Sequence, residues 1–204
     1  MNDTDLNLKK KFFDSSVQHW LNCGKDPHRR KFIGEILRRW YEYPSGKILD
    51  IGCGTGIASS VLVENGFPQE KIFMVDISTN MLLEAKKILP HSNVALAQGE
   101  KLPFRENSFE RIILFDSLPH FEIDLLMSQA GKICSPSGEI IILHDNCHIG
   151  INKIHREIGE PVEDAVLPPI PVMVKLLRKQ NFCVLKILEW EKKIYFIWAK
   201  KKPL

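Results

Sequence analysis

The sequence contains no C-x-x-C pair, and its five cysteines (Cys23, Cys53, Cys134, Cys147 and Cys183) are an odd number. That argues against a disulfide framework and for a reducing compartment. No apolar run approaches the ~20 residues that a membrane span needs. The start, Met1 to Lys11, is polar and charged and does not read as a signal peptide. Neither sign of charge dominates: the net charge is +3, with both signs mixed along the chain. Such a field is too weak to argue for nucleic acid. Lys200, Lys201 and Lys202 form a short basic tail that reads as solvated. Internal repeats and long linkers are also missing. What is present is an ordinary globular balance, 44% hydrophobic and 26% charged over 204 residues. That suits one domain with a sizeable core, and the expected location is cytoplasmic.

Residues 1–10 are polar and predicted to be loose. Apolar residues then recur at helical spacing: Phe12, Phe13, Val17 and Trp20 over 11–20, and Phe32, Ile33, Ile36, Leu37 and Trp40 over 27–41. Strand-like and helix-like segments alternate from there on. Strands are predicted at 47–51, 71–75, 93–97, 111–115 and 139–143, and helices at 55–65, 78–89 and 121–134. An irregular stretch runs over 144–169, with a short helix predicted at 152–159. A helix at 170–180 and a hairpin of 183–190 and 193–200, turning near Glu191-Lys192, complete the chain. Repeated strand–helix units imply a mainly parallel sheet with helices on both faces. Ligands of such sheets bind beyond the carboxyl ends of the strands, where the strand order reverses.

One such strand end carries the run Lys47-Ile48-Leu49-Asp50-Ile51-Gly52-Cys53-Gly54-Thr55-Gly56. Glycines at every second position allow a sharp strand-to-helix turn and let a ligand lie against the backbone. The G-x-G-x-G spacing is not that of a dinucleotide site. Asp50 suits a ligand with a cationic amino group better than a pyrophosphate. Asp76 ends the second strand, where a carboxylate can accept hydrogen bonds from both ribose hydroxyls, and Ser78 can cap the helix that follows.

The string Asp50-Ile51-Gly52-Cys53-Gly54-Thr55-Gly56 resembles motif I of the class I S-adenosylmethionine (SAM) methyltransferases. The stretch Ala97-Gln98-Gly99-Glu100-Lys101-Leu102-Pro103-Phe104, with Ser108-Phe109-Glu110 beyond, resembles the methyltransferase type 11 branch that includes the ubiquinone/menaquinone C-methylases. Gln98 stands where that branch has Asp, and Gly99 where it has Ala. A Gln carbonyl can still accept from the adenine amino group. Nearly the whole chain also resembles an uncharacterised anaerobe and archaeal subgroup, through Pro119-His120-Phe121, His144, Ile151-Asn152, His155 and Leu167-Pro168-Pro169. Its Ser-x-Ser-Arg segment is replaced here by Asp145-Asn146-Cys147-His148.

The resemblance implies a Rossmann-like α/β fold: a seven-stranded, mostly parallel sheet ending in an antiparallel hairpin. It implies a single domain of residues 1–204, with 1–44 a helical lid and 45–204 the catalytic core. The implied cofactor is SAM, with S-adenosylhomocysteine as product. The implied cofactor set is Asp50, Gly52, Cys53, Gly54, Gly56, Asp76, Ile77, Met81, Gln98, Gly99, Glu100, Phe115 and Asp116. Within it, Asp76 goes to the ribose, Ile77 to one adenine face, and Phe115-Asp116 to the methionine wall facing the acceptor. The N-P-P-Y-type motif of enzymes that methylate amino groups of DNA and protein is absent.

His120 and His144 follow strands four and five, and His155 lies in the stretch beyond. Three roles stay open for them. One is a general base, since imidazole titrates near working pH. Another is a metal site of His120, His144 and His155, although a metal is not expected. The third is a structural wall. The expected activity is methyl transfer to a small-molecule acceptor by in-line displacement, with His144, His155 and His120 as the catalytic set. The alternatives are a SAM-binding module without catalysis, or an enzyme acting on a metal-containing or metalloid acceptor. No nucleic acid and no membrane span are expected, and the protein is expected to be a monomer or homodimer. The acceptor atom is not legible.

Overall fold

The central strands of this chain carry apolar residues at consecutive positions, as strands covered on both faces must. A computed structural model describes residues 3–42, 45–190 and 194–203. Three helices come first: α1 (Asp3–Ser15), α2 (Val17–Gly24) and α3 (Pro27–Glu42). Strand–helix alternation follows: β1 (Ile48–Ile51), α4 (Ile57–Glu64), β2 (Ile72–Asp76), α5 (Thr79–Ile88), β3 (Asn93–Leu96), β4 (Phe109–Phe115), α6 (Ile123–Ile133) and β5 (Cys134–His144). The chain ends with α7 (His148–Ile158), α8 (Ile170–Lys179), β6 (Phe182–Trp190) and β7 (Ile194–Lys201).

The seven strands form one sheet in the order β3-β2-β1-β4-β5-β7-β6. The first five are parallel, and β7 runs antiparallel to both β5 and β6. This is the predicted sheet. Its hairpin turn falls outside the described residues.

Alternating residues of each strand feed two core layers. Leu49, Ile51, Ile112, Leu114, Ile140 and Ile142 pack with Leu126 and Met127 of α6 and Met173 and Leu177 of α8. Ile48, Met74, Ile113, Ile141 and Leu143 pack with α3, α4 and α5 through Ile33, Leu37, Val61, Leu62 and Ala85. Each fully buried aliphatic side chain contributes about 1.5–3 kcal/mol of burial. The strand order reverses between β1 and β4, which opens a cleft beyond their carboxyl ends.

The structure departs from the sequence reading in four places. Residues 3–10 are helical rather than loose: α1 starts at Asp3, and its Leu6 and Phe13 lie against the cleft. The helix predicted over 11–20 is instead broken at Ser16, whose hydroxyl donates to Phe12 O. Strand β5 begins at Cys134, five residues early, because Cys134 pairs with Phe109 ahead of a bulge. In the stretch predicted to be irregular, the short helix expected at 152–159 is instead α7, eleven residues that begin four residues earlier at His148.

Candidate active site

The glycine run turns sharply off β1. Gly52 and Cys53 both donate their backbone N–H to Val75 O, at 2.8 and 3.1 Å, which ties the loop to β2. At Gly52 (φ +67°) a Cβ would sit 2.5 Å from Ser117 Cβ, so no larger residue fits. Gly54 (φ +53°) faces open space, with nothing within 4 Å of where a Cβ would be. Backbone is therefore presented bare to the cleft.

Both carboxylate oxygens of Asp76 are fixed by neighbouring amides. Gly54 N donates to Oδ2 at 2.9 Å and Ser78 N to Oδ1 at 2.8 Å. Burial pushes the Asp76 carboxyl above the usual range, and these amides oppose the shift. Asp50 lies beneath the loop, 1% exposed. Its Oδ2 accepts from Ser59 Oγ at 2.7 Å, while its buried Oδ1 has no partner among the described residues. Burial raises Asp50 to about 7.

Of the predicted site residues, Gly52, Cys53, Gly54, Asp76, Ile77, Met81, Gly99, Glu100, Phe115, Asp116 and His120 line the cleft. Asp50, Gly56, Gln98, His144 and His155 are not on its surface. Gly56 is the N-cap of α4, and Gln98 is half-buried beside Ala97 and Gly99. Leu6, Phe13 and Trp20, from α1 and α2, close the side facing the sheet ends. Helix α1 is pinned there: Asp14 Oδ1 accepts from Ser78 Oγ (2.6 Å) and Asn80 N (3.2 Å), and Lys9 Nζ donates to His120 O (3.3 Å).

The three histidines do gather, but only His120 reaches the cleft. Its ring lies 4.9 Å from that of His155 and 5.0 Å from that of Phe13. His155 Nδ1 faces Ala165 O; a carbonyl only accepts, so this nitrogen carries the proton. His144 is 1% exposed, with its ring against Tyr195 and Nδ1 3.4 Å from Asp116 Oδ1. Burial holds all three imidazoles below their ordinary range, His120 well below it and His144 down to about 3. They are neutral at physiological pH. Among the described residues no group of three His, Cys, Asp or Glu is placed to hold a metal ion, so the metal alternative for His120, His144 and His155 has no geometric support.

Sequence reasoning missed Arg29. It reaches from α3 to pair with Asp116, and its Nε lies 2.9 Å from Asp145 Oδ2. No motif surrounds it; it is one of four consecutive polar residues, His28 to Lys31, on an amphipathic helix.

Comparisons with known proteins agree with this architecture. Residues 49–142 match the family model described as a methyltransferase domain, type 11. The solved structure of magnesium protoporphyrin IX methyltransferase from Synechocystis PCC 6803, with bound S-adenosylhomocysteine, superposes with a TM-score of 0.74. It is 15% identical, over 97% of this chain and 100% of that one. PH0226 protein from Pyrococcus horikoshii OT3 gives a TM-score of 0.67 at 21% identity, over 87% and 92%. The sheet is that of the class I SAM-dependent methyltransferases, and the domain match supports placing the chain in that class.

Among curated proteins, the chain is 26% identical over 138 residues to the ubiquinone/menaquinone biosynthesis C-methyltransferase UbiE of Neisseria meningitidis serogroup C, covering 65% of this chain and 54% of that protein. It is 29% identical over 123 residues to the Bacillus subtilis protein described as uncharacterized methyltransferase YodH, covering 58% and 52%. The chain spans about half the length of these relatives. The chain is thus similar to the type 11, UbiE-like methyltransferases, a branch that uses SAM.

The residues present fit that cofactor. An orphaned, buried carboxylate oxygen on Asp50 lies beneath a bare glycine loop, and Asp76 stands amide-fixed at the end of β2. The donor set is acidic and suits an ammonium and a ribose diol. Among the described residues no helix is long and apolar enough to cross a membrane.

Proposed function

We propose that this chain transfers a methyl group to a small-molecule acceptor, as a single domain in which residues 1–44 cover a catalytic core of 45–204. The observation that carries the reading is Asp76, held by two backbone amides beside the open face of Gly54. When bound, SAM supplies a methyl group already activated by its sulfonium. The protein's task is then alignment and exclusion of water. Asp76, Ile77 and Met81 hold the nucleoside end, and Gly52 to Gly54 lie along the methionine end. Leu6, Phe13 and Trp20 cover the cleft and keep water out. His120, neutral and on the cleft wall, is placed to accept a hydrogen bond from an acceptor hydroxyl or amine. His144 and His155 support that wall from behind. The covered cleft and the mixed charge of the sequence favour a small acceptor over a polymer, and the odd cysteine count without a C-x-x-C pair favours a cytoplasmic location.

The test is isothermal titration with SAM and S-adenosylhomocysteine, followed by incubation of methyl-tritiated SAM with a bacterial extract. Micromolar one-to-one binding is expected, with label in the low-molecular-weight fraction. Absence of binding sinks the cofactor assignment. Label confined to protein or nucleic acid sinks the small-molecule acceptor.

A further inference from the structure

We propose that Arg29 is a positioning residue of the transfer site: it fixes the Asp116 carboxylate on the cleft wall, so the N-terminal helices complete the site as well as covering it. The inference rests on the reading of this cleft as the place of methyl transfer.

Three independent observations meet at this pair. First, Asp116 is a cleft residue with φ +51°, the left-handed conformation that non-glycine residues rarely adopt. Such backbone strain persists only where the surroundings hold it, and it clusters at working sites. Second, the Asp116 carboxylate is saturated by partners on its protein side. Asp145 N donates to Oδ1 at 3.2 Å, His144 Nδ1 lies 3.4 Å from the same oxygen, and Arg29 takes Oδ2. Third, the Arg29 side chain is only 11% exposed and its guanidinium lies over the Phe115 ring at 4.9 Å, with Trp20 of α2 at 5.8 Å. Phe115 and Trp20 both line the cleft.

A buried Arg–carboxylate pair is poor evidence for stability, because the desolvation of both ions offsets their attraction. Its worth here lies in what it does to Asp116. The charged and titratable groups around that carboxylate are Arg29 on α3, and His144 and Asp145 at the end of β5. Behind His144 stand His120 and the α7 residue His155, and beyond Arg29 stands Cys23 of α2. The histidines are held neutral by burial. Burial first, then the like charge of Asp145, push Asp116 up, and Arg29 pulls it down; the balance falls at about 7. Remove Arg29 and only the Asp145 amide still favours the ionised form of Asp116. Remove Asp145 and the opposite follows.

The opposite signs give the test. Protein carrying carbon-13 at the aspartate carboxyls is titrated by NMR, with the Asp116 signal assigned by loss in Asp116→Asn. The wild-type midpoint is expected near 7. Arg29→Met should raise it by about one pH unit or more, the scale an adjacent opposite charge commands. Arg29→Lys should restore most of the difference, and Asp145→Asn should lower the midpoint. The acid limb of tritium transfer from methyl-labelled SAM to the low-molecular-weight fraction should move to higher pH in Arg29→Met. A midpoint indifferent to both substitutions, or moving the same way in both, overturns the proposal. If Arg29→Met does not fold, Arg29→Lys against Asp145→Asn still decides the sign. SAM calorimetry on the same samples keeps the two readings apart. A wild type that binds no SAM refutes the site, while the carboxyl titration reports on Arg29 regardless.

Discussion

At the β1–β2 end of the cleft, acids are held by groups on the two adjoining strand-to-helix turns, none more than 22 residues away. Asp76 takes the amides of Gly54 and Ser78, and Asp50 takes a hydroxyl nine residues on. At the β4–β5 end, Asp116 is held by an arginine 87 residues distant, and His120 lies against rings from α1 and α7. The first end is set by one pair of adjacent parallel strands and the turns that leave them. The second exists only once remote elements have packed. The comparison teaches that a shared ligand is served by short-range geometry, whereas what distinguishes one member of a family from another is assembled at long range.

The comparison is broken most directly at Asp76. Asp76→Ala removes a charge-assisted partner and orphans two amides, so SAM affinity should fall about 100-fold, roughly 2.7 kcal/mol, by calorimetry. Unchanged affinity would mean that the β1–β2 end is not the nucleoside site.

His144→Leu sharpens the contrast from the other end. SAM affinity should be untouched, but the response of stability to acid should change. With its folded pKa near 3 against an ordinary 6.5, His144 takes up protons more readily when unfolded. Its contribution to stability is therefore present above about pH 6.5 and lost as pH falls toward 3, at up to about 1.4 kcal/mol per pH unit. Asp116 and Asp50, raised to about 7, act in the opposite sense: their contribution is present below the ordinary carboxylate range and lost as pH rises through 7. Denaturant unfolding from pH 7 to 5 should show a steeper acid loss in wild type than in His144→Leu. Parallel curves would contradict the burial of that imidazole.

The smallest effect is expected at the cover. Asp14→Ala removes the acceptor for Asn80 N and Ser78 Oγ at the start of α5. The loss of about 1 kcal/mol of capping should lower Tm by about 2–4 °C. SAM should dissociate faster in stopped flow, with a smaller loss of affinity than in Asp76→Ala. A cover that is independent of the latch would leave the dissociation rate alone.

The same division explains what was legible in the sequence. Gly52, Gly54, Asp76 and Ser78 announce themselves because each stands at a fixed place in a short turn that follows a strand. The sheet was legible because its buried strands are continuous apolar runs between turn residues. Arg29 was not, since its partners Asp116 and Asp145 are close only in the folded chain. The start of α1 was hidden by its polar sequence, its few apolar residues having a partner only in the cleft. Gly99, in place of the alanine usual in the branch, has a reason only in three dimensions: a Cβ there would meet the Phe121 ring at 2.7 Å. Of the histidines, sequence position gave their gathering but not their depth, and depth is what leaves His144 and His155 behind the wall.

The latches on α1 and α3 also order events in time. Asp14 waits for Asn80, Arg29 for Asp116, and Lys9 for His120, which lies 111 residues downstream. On a ribosome the cover emerges before the core, and Arg29 and Lys9 have nothing to hold until more than half of the 204 residues have been made. It is made before the partners that latch it, so an open cleft is a stage in the life of every new molecule before it is a stage in any catalytic cycle.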